Sequence, residues 1–215
     1  MRTIFTLSLL LVGGILLGQK DAAAEAYLDR VAKDLDPGHA LQIDFDYIRE
    51  DLKAETSVEG SGTLVLMGEK YKIDLEDAVI WFDGETQYSL NMEIEEVYIS
   101  VPEPGNKDFM FSDPIRLLRN YKEAFKYRAM GEVEVNGKTL TEIQLYPEEL
   151  GGPYALIKIY FSPVTSEMKS IVIRHKEGIL YTMEVAEMER MDDPGEDFFR
   201  FSKEDYPNAD VIELL

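Results

Sequence analysis

The stretch QYSLNMEIEEVYISV, residues 87–101, alternates apolar and polar side chains with the period of a β-strand. Up to Ile94 the apolar side chains occupy even-numbered positions, and from Val97 onward they occupy odd-numbered ones. A β-bulge or a tight turn at Glu95-Glu96 accounts for this shift of phase. A strand with one apolar face must bury that face, and what covers it decides the kind of fold.

The same period of two recurs along most of the chain after residue 40. Asp83-Gly84 and Asn136-Gly137 are typical of two-residue hairpin turns between such strands. The predicted strands besides residues 87–101 are residues 41–47, 63–67, 70–75, 78–82, 132–135, 139–146, 154–161, 168–174, 179–185 and 198–201. We therefore expect about ten or eleven strands, mainly in an antiparallel meander.

Helical periodicity is confined to two places. Residues 21–35 place apolar side chains three and four apart, and Asp36-Pro37-Gly38 ends the pattern. Asp113-Pro114 is a good start for a second, shorter helix. Two such helices cannot cover ten strands as a layer, so the apolar faces meet either in a sandwich or in a barrel or half-barrel that wraps around its contents.

Composition excludes several classes of function. The chain has 215 residues, which is the length of one domain with a sizeable core. Its net charge of −20 repels phosphate, so nucleic acids and anionic membrane surfaces are poor partners. The absence of cysteine excludes disulfides, thiol catalysis and cysteine-ligated metals.

Residues 1–18, MRTIFTLSLLLVGGILLG, predict a signal peptide. Arg2 supplies the positive charge, residues 4–17 form the apolar stretch, and Gly18 is a small residue before a polar segment. The site of cleavage is open between Gly18, Gln19 and the alanines at 22–24. We expect residues 19–215 to form one domain in the periplasm or outside the cell.

The motifs of catalysis and metal binding are missing from the sequence. His39 and His175 lie far apart with no metal-binding spacing, and no nucleophile elbow or nucleotide-binding loop is present. The acidic run at residues 192–197 lacks the spacing of an EF-hand and is interpreted as a solvated turn. We expect no enzyme, no cofactor and no metal site.

Aromatic residues and methionines are frequent on the predicted strands, and they can repack around an irregular guest. For any one of these residues, a place in an ordinary core is the simpler interpretation. Phe109, Met110 and Phe111 stand apart, because they fall in the non-strand segment at residues 102–125 that has the length of a lid.

The order of these elements resembles that of LolA, the periplasmic carrier of outer-membrane lipoproteins, and its wider superfamily. An N-terminal helix leads into LQIDFDYIRED, GSGTLVLMGEKYKIDL and VIWFDGETQYSL, and FSDPIRLL and FFRFS followed by PNADVIEL come later. The resemblance extends over nearly the whole chain after residue 18, although each motif is short.

The resemblance implies a mainly β fold with some α-helix: an antiparallel open half-barrel closed by a helical lid. It also implies that the apolar inside holds the acyl chains of a lipoprotein or another lipid. The implied partners are an inner-membrane ABC transporter and an outer-membrane receptor, and the implied carrier is a monomer without a cofactor.

The residues that match family motifs are few. The aromatic of the family's Arg-Pro-x-x-(Phe/Tyr) stretch falls on Tyr71, and its Asp-Gly pair falls on Asp83 and Gly84. The other matches are Tyr88, Pro114, Leu117, Leu118, Phe199 and Phe201. Where the family has Arg-Pro, with an arginine that helps to hold the lid shut, this chain has Gly68-Glu69.

Two hypotheses follow for the apolar faces of the strands. In the first, they line a lipid-binding hollow, and in the second, they form a filled core and the exported protein binds only other proteins. The predicted lining is Ile43, Phe45, Tyr47, Leu64, Leu66, Tyr71, Ile73, Tyr88, Leu90, Met92, Ile94, Phe199 and Phe201. The predicted lid is Phe109, Met110, Phe111, Pro114, Leu117 and Leu118.

Overall fold

The computed structural model describes residues 21–34, 38–102, 119, 121–148, 152 and 154–214. The predicted signal peptide and the predicted lid residues lie outside these ranges. The helices are α1 (Ala22–Asp34) and α2 (Tyr121–Ala124), with a 3₁₀-helix at Glu196–Phe199. The strands are β1 (Ala40–Asp51), β2 (Thr56–Met67), β3 (Lys70–Leu75), β4 (Ala78–Phe82), β5 (Gln87–Asn91), β6 (Glu96–Ser100), β7 (Phe125–Val135), β8 (Lys138–Pro147), β9 (Tyr154–Phe161), β10 (Met168–His175), β11 (Ile179–Met191) and β12 (Asp210–Leu214).

All twelve strands belong to one sheet, in the order β12-β6-β5-β4-β3-β2-β1-β11-β10-β9-β8-β7. Strands β1 to β6 are antiparallel neighbours in chain order, and so are β7 to β11. The first strand of one meander, β1, pairs with the last of the other, β11, while β12 is parallel to β6. The predicted fold class is confirmed: one open curled sheet, mainly antiparallel, with few helices.

The quoted stretch is a hairpin and not one continuous strand. Residues 92–95 separate β5 from β6, and the Asn91 side-chain oxygen accepts hydrogen bonds from the backbone N–H of Glu93 and Ile94 at 2.9 and 3.2 Å. Glu95 closes the turn with φ of 53°, in the left-handed region. Of the two expected causes of the phase shift, the tight turn is therefore observed.

Helix α1 begins at a cap that the sequence supplies. The Asp21 carboxylate accepts a hydrogen bond from the Ala23 N–H at 2.9 Å, which satisfies a donor left free at the helix N-terminus. Ala24, Leu28 and Val31 then lie on one stripe and are buried. Because this stripe packs against the sheet, we call the face that it contacts the inner face and the opposite face the outer face.

The inner face carries the main core. Its buried side chains come from α1, from Tyr121 in α2, and from strands β1–β3 and β7–β11, so the two meanders curl around one apolar interior. Ile80 and Phe82 extend this surface onto β4 as partly buried residues. The inner face is thus one apolar surface and not a row of separate contacts.

The outer face has two smaller clusters under the C-terminal segment. Val79, Trp81, Leu90, Val97 and Ala209 form the first, and Trp81 meets Phe201 and Tyr206 edge-on at 5.9 and 5.7 Å between ring centroids. The second cluster contains Ala40, Val65 and Phe199. Returning across the outer face, the C-terminal segment buries side chains that would otherwise be exposed.

The end of the chain departs from the prediction. Residues 198–201 are not a strand, because Gly195 turns the backbone with φ of 87° and the 3₁₀-helix Glu196–Phe199 follows. The last strand is β12, whose apolar residues Val211, Ile212 and Leu214 are too few to show a clear period. No helix among the described residues is long and apolar enough to cross a membrane.

Candidate functional site: the apolar inner face

Seven of the predicted lining residues lie together on the inner face. Strands β1, β2 and β3 contribute them in adjacent rows, so their side chains form one continuous surface. Six are buried in the main core, namely Ile43, Phe45, Leu64, Leu66, Tyr71 and Ile73. Tyr47 is partly buried and packs against this core.

Two glycines of β2 leave space for the aromatic rings of β1. Gly62 pairs with Phe45 and Gly60 pairs with Tyr47. A Cβ atom at Gly62 would lie 2.9 Å from the Phe45 ring and 2.8 Å from the Asp74 carbonyl oxygen, and one at Gly60 would lie 2.9 Å from the Tyr47 ring. Because these distances are too short for a Cβ, each ring occupies the space of a missing side chain.

The remaining predicted lining residues do not face this surface. Tyr88 pairs with Trp81 and Leu90 with Val79, so both point to the outer face and pack in its first cluster. Phe199 and Phe201 also belong to the outer face. Met92 and Ile94 lie in the β5–β6 turn and are exposed. The prediction that these six residues share the hollow is wrong.

The reason is that alternation along β5 identifies its two faces but not which of them points inward. The register fixes the answer, because Ser89 lies beside Ile80 and Gln87 beside Phe82, on the inner side. The Tyr71 hydroxyl donates a hydrogen bond to the Gln87 side-chain oxygen at 3.1 Å. The apolar inner surface therefore becomes polar at β5.

The other half of the inner surface was not in the predicted lining. It comes from β7–β10 and includes Tyr127, Ile143, Leu145, Ile157, Ile159 and Phe161, all at most 2 % exposed. The signal was present in the alternation of residues 139–146 and 154–161. The family motifs fall mostly in the first half of the chain, so the resemblance does not point to these strands.

Polar contacts attach α1 to the edge of this surface. Asp21, Glu25 and Asp29 lie one turn apart on the helix. Asp21 accepts from the Ala129 N–H of β7 at 3.1 Å, and Glu25 accepts from the Tyr127 hydroxyl at 3.2 Å. Asp29 accepts from the Tyr121 hydroxyl at 2.5 Å. We call these three residues the carboxylate row.

Lys122 of α2 completes the attachment with ion pairs to Glu25 and Asp29 at 2.8 and 2.7 Å. The backbone N–H of Ala129 holds the pKa of Asp21 below its usual value. The Lys122 ammonium group and, to a smaller extent, a tyrosine hydroxyl lower the pKa values of Glu25 and Asp29. The helix is therefore fixed to the sheet edge by polar groups that water can replace, and to the interior by its three buried aliphatic side chains and the partly buried ring of Tyr27.

One helix does not cover the whole inner face. Twelve strands spaced roughly 4.8 Å apart span about 55 Å, whereas a helix with its side chains is about 10 Å wide. Curling brings the inner side chains of opposite strands together and reduces the surface left for α1 to cover. The described core is consequently made mostly of sheet side chains that contact one another.

The turn that departs from the family motif carries an ion pair. The Glu69 carboxylate accepts from the guanidinium of Arg119. The predicted lid residues, Phe109, Met110, Phe111, Pro114, Leu117 and Leu118, lie outside the described residues. Their role remains a prediction. The described residues that flank them in the sequence are Pro102, which follows β6, and Arg119, which forms the ion pair with Glu69.

The two histidines occupy different environments in the described part of the chain. His39 is exposed, and His175 packs between the rings of Tyr154 and Tyr181 with centroids 4.9 and 5.5 Å away. Across the described ranges, no group of three or more histidine or acidic side chains has the arrangement of a metal site. The buried side chains of the main core that the structure describes are those of aliphatic residues, aromatic residues and methionines, so the arrangement can bury an apolar ligand.

Comparison with known proteins was made by sequence and by structure. No family model matches the sequence, and no curated protein matches it either. Among solved structures, the chain is similar to an uncharacterized conserved protein from Thermus thermophilus, with a TM-score of 0.55 at 14 % identity over 89 % of this chain and 99 % of that one.

Two further structures have weaker similarity. A putative outer membrane lipoprotein-sorting protein domain from Vibrio parahaemolyticus has a TM-score of 0.48 at 10 % identity, over 82 % of this chain and 97 % of that one. A LolA superfamily protein from Nitrosomonas europaea has a TM-score of 0.44 at 7 % identity, over 83 % of this chain and 97 % of that one. One open curled sheet with a helix on its inner face is the architecture that the sequence resemblance implied, and the similarity to the Thermus thermophilus structure shows that this fold occurs at 14 % sequence identity.

Proposed function

We propose that this protein is an exported carrier that binds the acyl chains of lipoproteins or of another lipid on its inner face. In this proposal residues 1–18 are a signal peptide and residues 19–215 are one periplasmic domain that acts as a monomer. It receives lipid from an inner-membrane ABC transporter and passes it to an outer-membrane receptor, without covalent chemistry.

The observation that carries the proposal is the continuity of the inner apolar surface. It crosses from β1–β3 to β7–β11 without a charged side chain among its buried members. Its residues include the flexible Met168 and Met183 and the aromatic rings of Phe45, Tyr71 and Tyr127, a mixture that can adapt to a guest. A surface of this kind fits an acyl chain better than a polar ligand.

The energetics favour such a carrier. Burial of an acyl chain is worth roughly 0.8 kcal/mol per CH₂, so a sixteen-carbon chain costs about 10 kcal/mol to expose. A carrier in water must therefore enclose the chain completely while it moves. It must also fill the same space when it is empty, because an apolar hollow of that size is costly.

We assign to helix α1 the filling of the hollow when no lipid is bound. Its apolar stripe consists of Ala24, Leu28 and Val31, which fill less space than the aromatic rings around them. Tyr27 of α1 adds an aromatic contact, with its ring centroid 5.0 Å from that of Phe161. The polar contacts include the hydrogen bonds and ion pairs of the carboxylate row, whose net strength is modest since water replaces them. An acyl chain takes the place of α1 by restoring the apolar contacts of this stripe and of Tyr27.

A filled core with a protein-binding role is the second candidate. The observation that favours it is the tight packing of the inner face, where Tyr71, Ile143 and Ile157 are fully buried. A protein with this core would take up no lipid, so ligand uptake separates the two candidates.

The test is displacement of a fluorescent fatty acid from the purified protein. We expect saturable uptake by the wild type and displacement by unlabelled acyl chains. Ile80→Glu, which places a charge on the inner side of β4, should weaken uptake strongly. Met92→Glu is the matched control, because the same charge in the exposed β5–β6 turn should leave uptake unchanged.

Folding of each variant is checked by circular dichroism. The double variant Glu25→Gln with Asp29→Asn is a second test of lipid binding. Loosening the carboxylate row should increase uptake, which no filled core would show. Absence of uptake in all four proteins, together with no acyl species in lipid extracts of the protein from an envelope fraction, would overturn the proposal. Transfer of labelled lipid between inner- and outer-membrane vesicles then tests delivery itself.

A further inference from the structure

The two edges of the sheet differ in how their backbone groups are used. At one edge, β7 is covered by the start of α1: the Asp21 N–H donates to the Tyr127 carbonyl at 3.4 Å, and Ala129 donates to the Asp21 carboxylate at 3.1 Å. A bulge near Gly131 also interrupts this edge. Strand β7 is therefore protected against pairing with another strand.

At the opposite edge, β12 has none of these devices. It pairs with β6 on one side, and within the described residues no strand or side chain pairs with its other side. Its sequence DVIEL contains no proline, lysine or glycine, and Val211 and Leu214 are 47 and 58 % exposed. Unprotected edges of this kind are the places where proteins accept an added strand.

The surface beside β12 extends this edge. Its first residue, Asp210, donates its backbone N–H to the Glu95 carbonyl at 2.7 Å, which places β12 against the β5–β6 turn. Between that turn and residues 205–209 lies a pit of about 150 Å³, lined by Leu90, Met92, Glu95, Asp205, Tyr206, Pro207, Asn208 and Ala209. The exposed side chain of Ile94 belongs to the same turn.

The charge of this surface is negative. Glu95 and Asp205 border the pit, and Asp210 and Glu213 lie on β12, all exposed. Lys203 is the nearby cation, and its ammonium group donates to the Ala209 carbonyl, so it holds the loop in place.

Along β12, Asp210, Ile212 and Leu214 point to one face, and Val211 and Glu213 point to the other, so each face presents one carboxylate beside apolar side chains. A partner strand that alternates basic and apolar residues can match the carboxylate of one face and the apolar side chain of the other.

A second copy of the chain does not fit. Pairing β12 with β12 of another molecule would bring Asp210 and Glu213 of both copies close together, in a protein with net charge −20. Like charges on facing strands destabilise the pair. The occupant is therefore a different protein.

We infer that β12 and the pit beside it form a docking site for an extended, basic segment of a partner protein, which adds to the sheet as a strand next to β12. Backbone hydrogen bonds to the free side of β12 hold the segment. On one face of the added strand its apolar side chains lie beside Val211, and on the other face its basic side chains lie beside Asp210. This site is separate from the inner face and does not depend on lipid binding.

The probe is a fluorescein-labelled hexapeptide that alternates lysine and valine, and its binding to the full chain is measured by anisotropy. We expect saturable binding that weakens with salt, and no binding of the matching peptide with glutamate in place of lysine. A version with alternate amides N-methylated keeps its charge but cannot pair with a strand edge. Its affinity should fall about tenfold or more, which is the effect expected from losing at least 1.4 kcal/mol.

Matched variants test whether the peptide binds at β12. Asp210→Lys with Glu213→Lys should abolish binding, whereas Glu132→Lys with Glu187→Lys, the same charge change at exposed positions elsewhere, should leave most of it. Hydrogen exchange should show new protection in β12 and not in β7.

Three outcomes would overturn the inference. The first is equal binding of the N-methylated peptide, which would reduce the effect to general charge attraction. The second is binding unchanged by the β12 variants. The third is a dimer in analytical ultracentrifugation whose β12 amides are already protected without peptide, since the occupant would then be a second copy.

Discussion

Both faces of the sheet bury apolar side chains, yet by different means. On the inner face, side chains from eight strands and α1 meet in one large core. On the outer face, Trp81 and a few aliphatic residues lie under a single returning segment, residues 198–209. The inner face is closed by the curl of the sheet itself, whereas the outer-face clusters are covered by this one returning segment. In the proposed function the inner face binds the ligand, and the outer face has a structural role.

The largest expected effect comes from the inner face. Phe161 is fully buried, and its ring centroid lies 5.0 Å from that of Tyr27 in α1. Phe161→Ala should lower the free energy of unfolding by about 3–5 kcal/mol, because it leaves a cavity in the main core. Urea denaturation measures the change. Val164→Ala, three residues later and 90 % exposed, should change stability by less than about 0.5 kcal/mol.

The outer face should respond locally. Trp81→Ala removes the ring against which Phe201 and Tyr206 pack, and we expect a loss of about 3 kcal/mol. Native-state hydrogen exchange should show the loss in β12 and residues 199–209, while β8 and β9 keep their protection. Equal loss of protection in β8 and β9 would show that the two faces unfold as one unit.

An intermediate loss of stability is expected where the glycines of β2 contact the aromatic rings of β1. Gly62→Ala forces a Cβ against the Asp74 carbonyl oxygen at 2.8 Å, and a backbone atom cannot move aside as a side chain can. The expected loss is about 1–3 kcal/mol by thermal unfolding. Ser61→Ala, on the exposed side of the same strand, is the control and should have little effect.

The smallest effect concerns pH and the attachment of α1. Asp21, Glu25 and Asp29 have pKa values below their usual 3.8 to 4.5 in the folded protein. A lowered pKa means that the stabilising contribution is complete above the unfolded pKa and is lost as pH falls through the folded pKa. Stability should therefore decline below about pH 4 as the carboxylate row takes up protons.

The variant Glu25→Gln with Asp29→Asn separates this effect from general acid unfolding. Its decline below that pH should be shallower than that of the wild type, as followed by tyrosine fluorescence across a pH titration. Glu187→Gln, an exposed carboxylate on β11, should leave the wild-type curve unchanged. An identical curve for all three proteins would mean that the carboxylate row adds nothing to the attachment of α1.

Sequence alone predicted most of the local structure. The helix expected at residues 21–35 is α1 at Ala22–Asp34, and most of the expected strands from residue 41 to residue 185 are present with shifted ends. Alternation and turn residues are local signals, so they need no knowledge of distant partners. The hairpins at Asp83-Gly84 and Asn136-Gly137 are examples.

The errors share one physical cause. Tyr88 and Leu90 have the right alternation, but their side was decided by residues more than a hundred positions later that return over the outer face. Phe199 and Phe201 were expected in a strand of the hollow, and instead they belong to that returning segment. A period states that a strand has two faces, and only the tertiary partners decide which face is inside.

The pairing of β1 with β11 has a consequence for the order of folding. Each meander, β1–β6 and β7–β11, consists of hairpins between consecutive strands, whose loops are short and close quickly. Joining them pairs Ala40 with Met191 and Asp51 with Ile179, across more than a hundred residues of chain. The parallel pairing of β12 with β6 is also long-range but shorter, so the rate of folding should be set mainly by the β1–β11 seam. While the seam is still open, the chain exposes the inner strands of both half-sheets at once, and this is the interval in which it is most prone to aggregate.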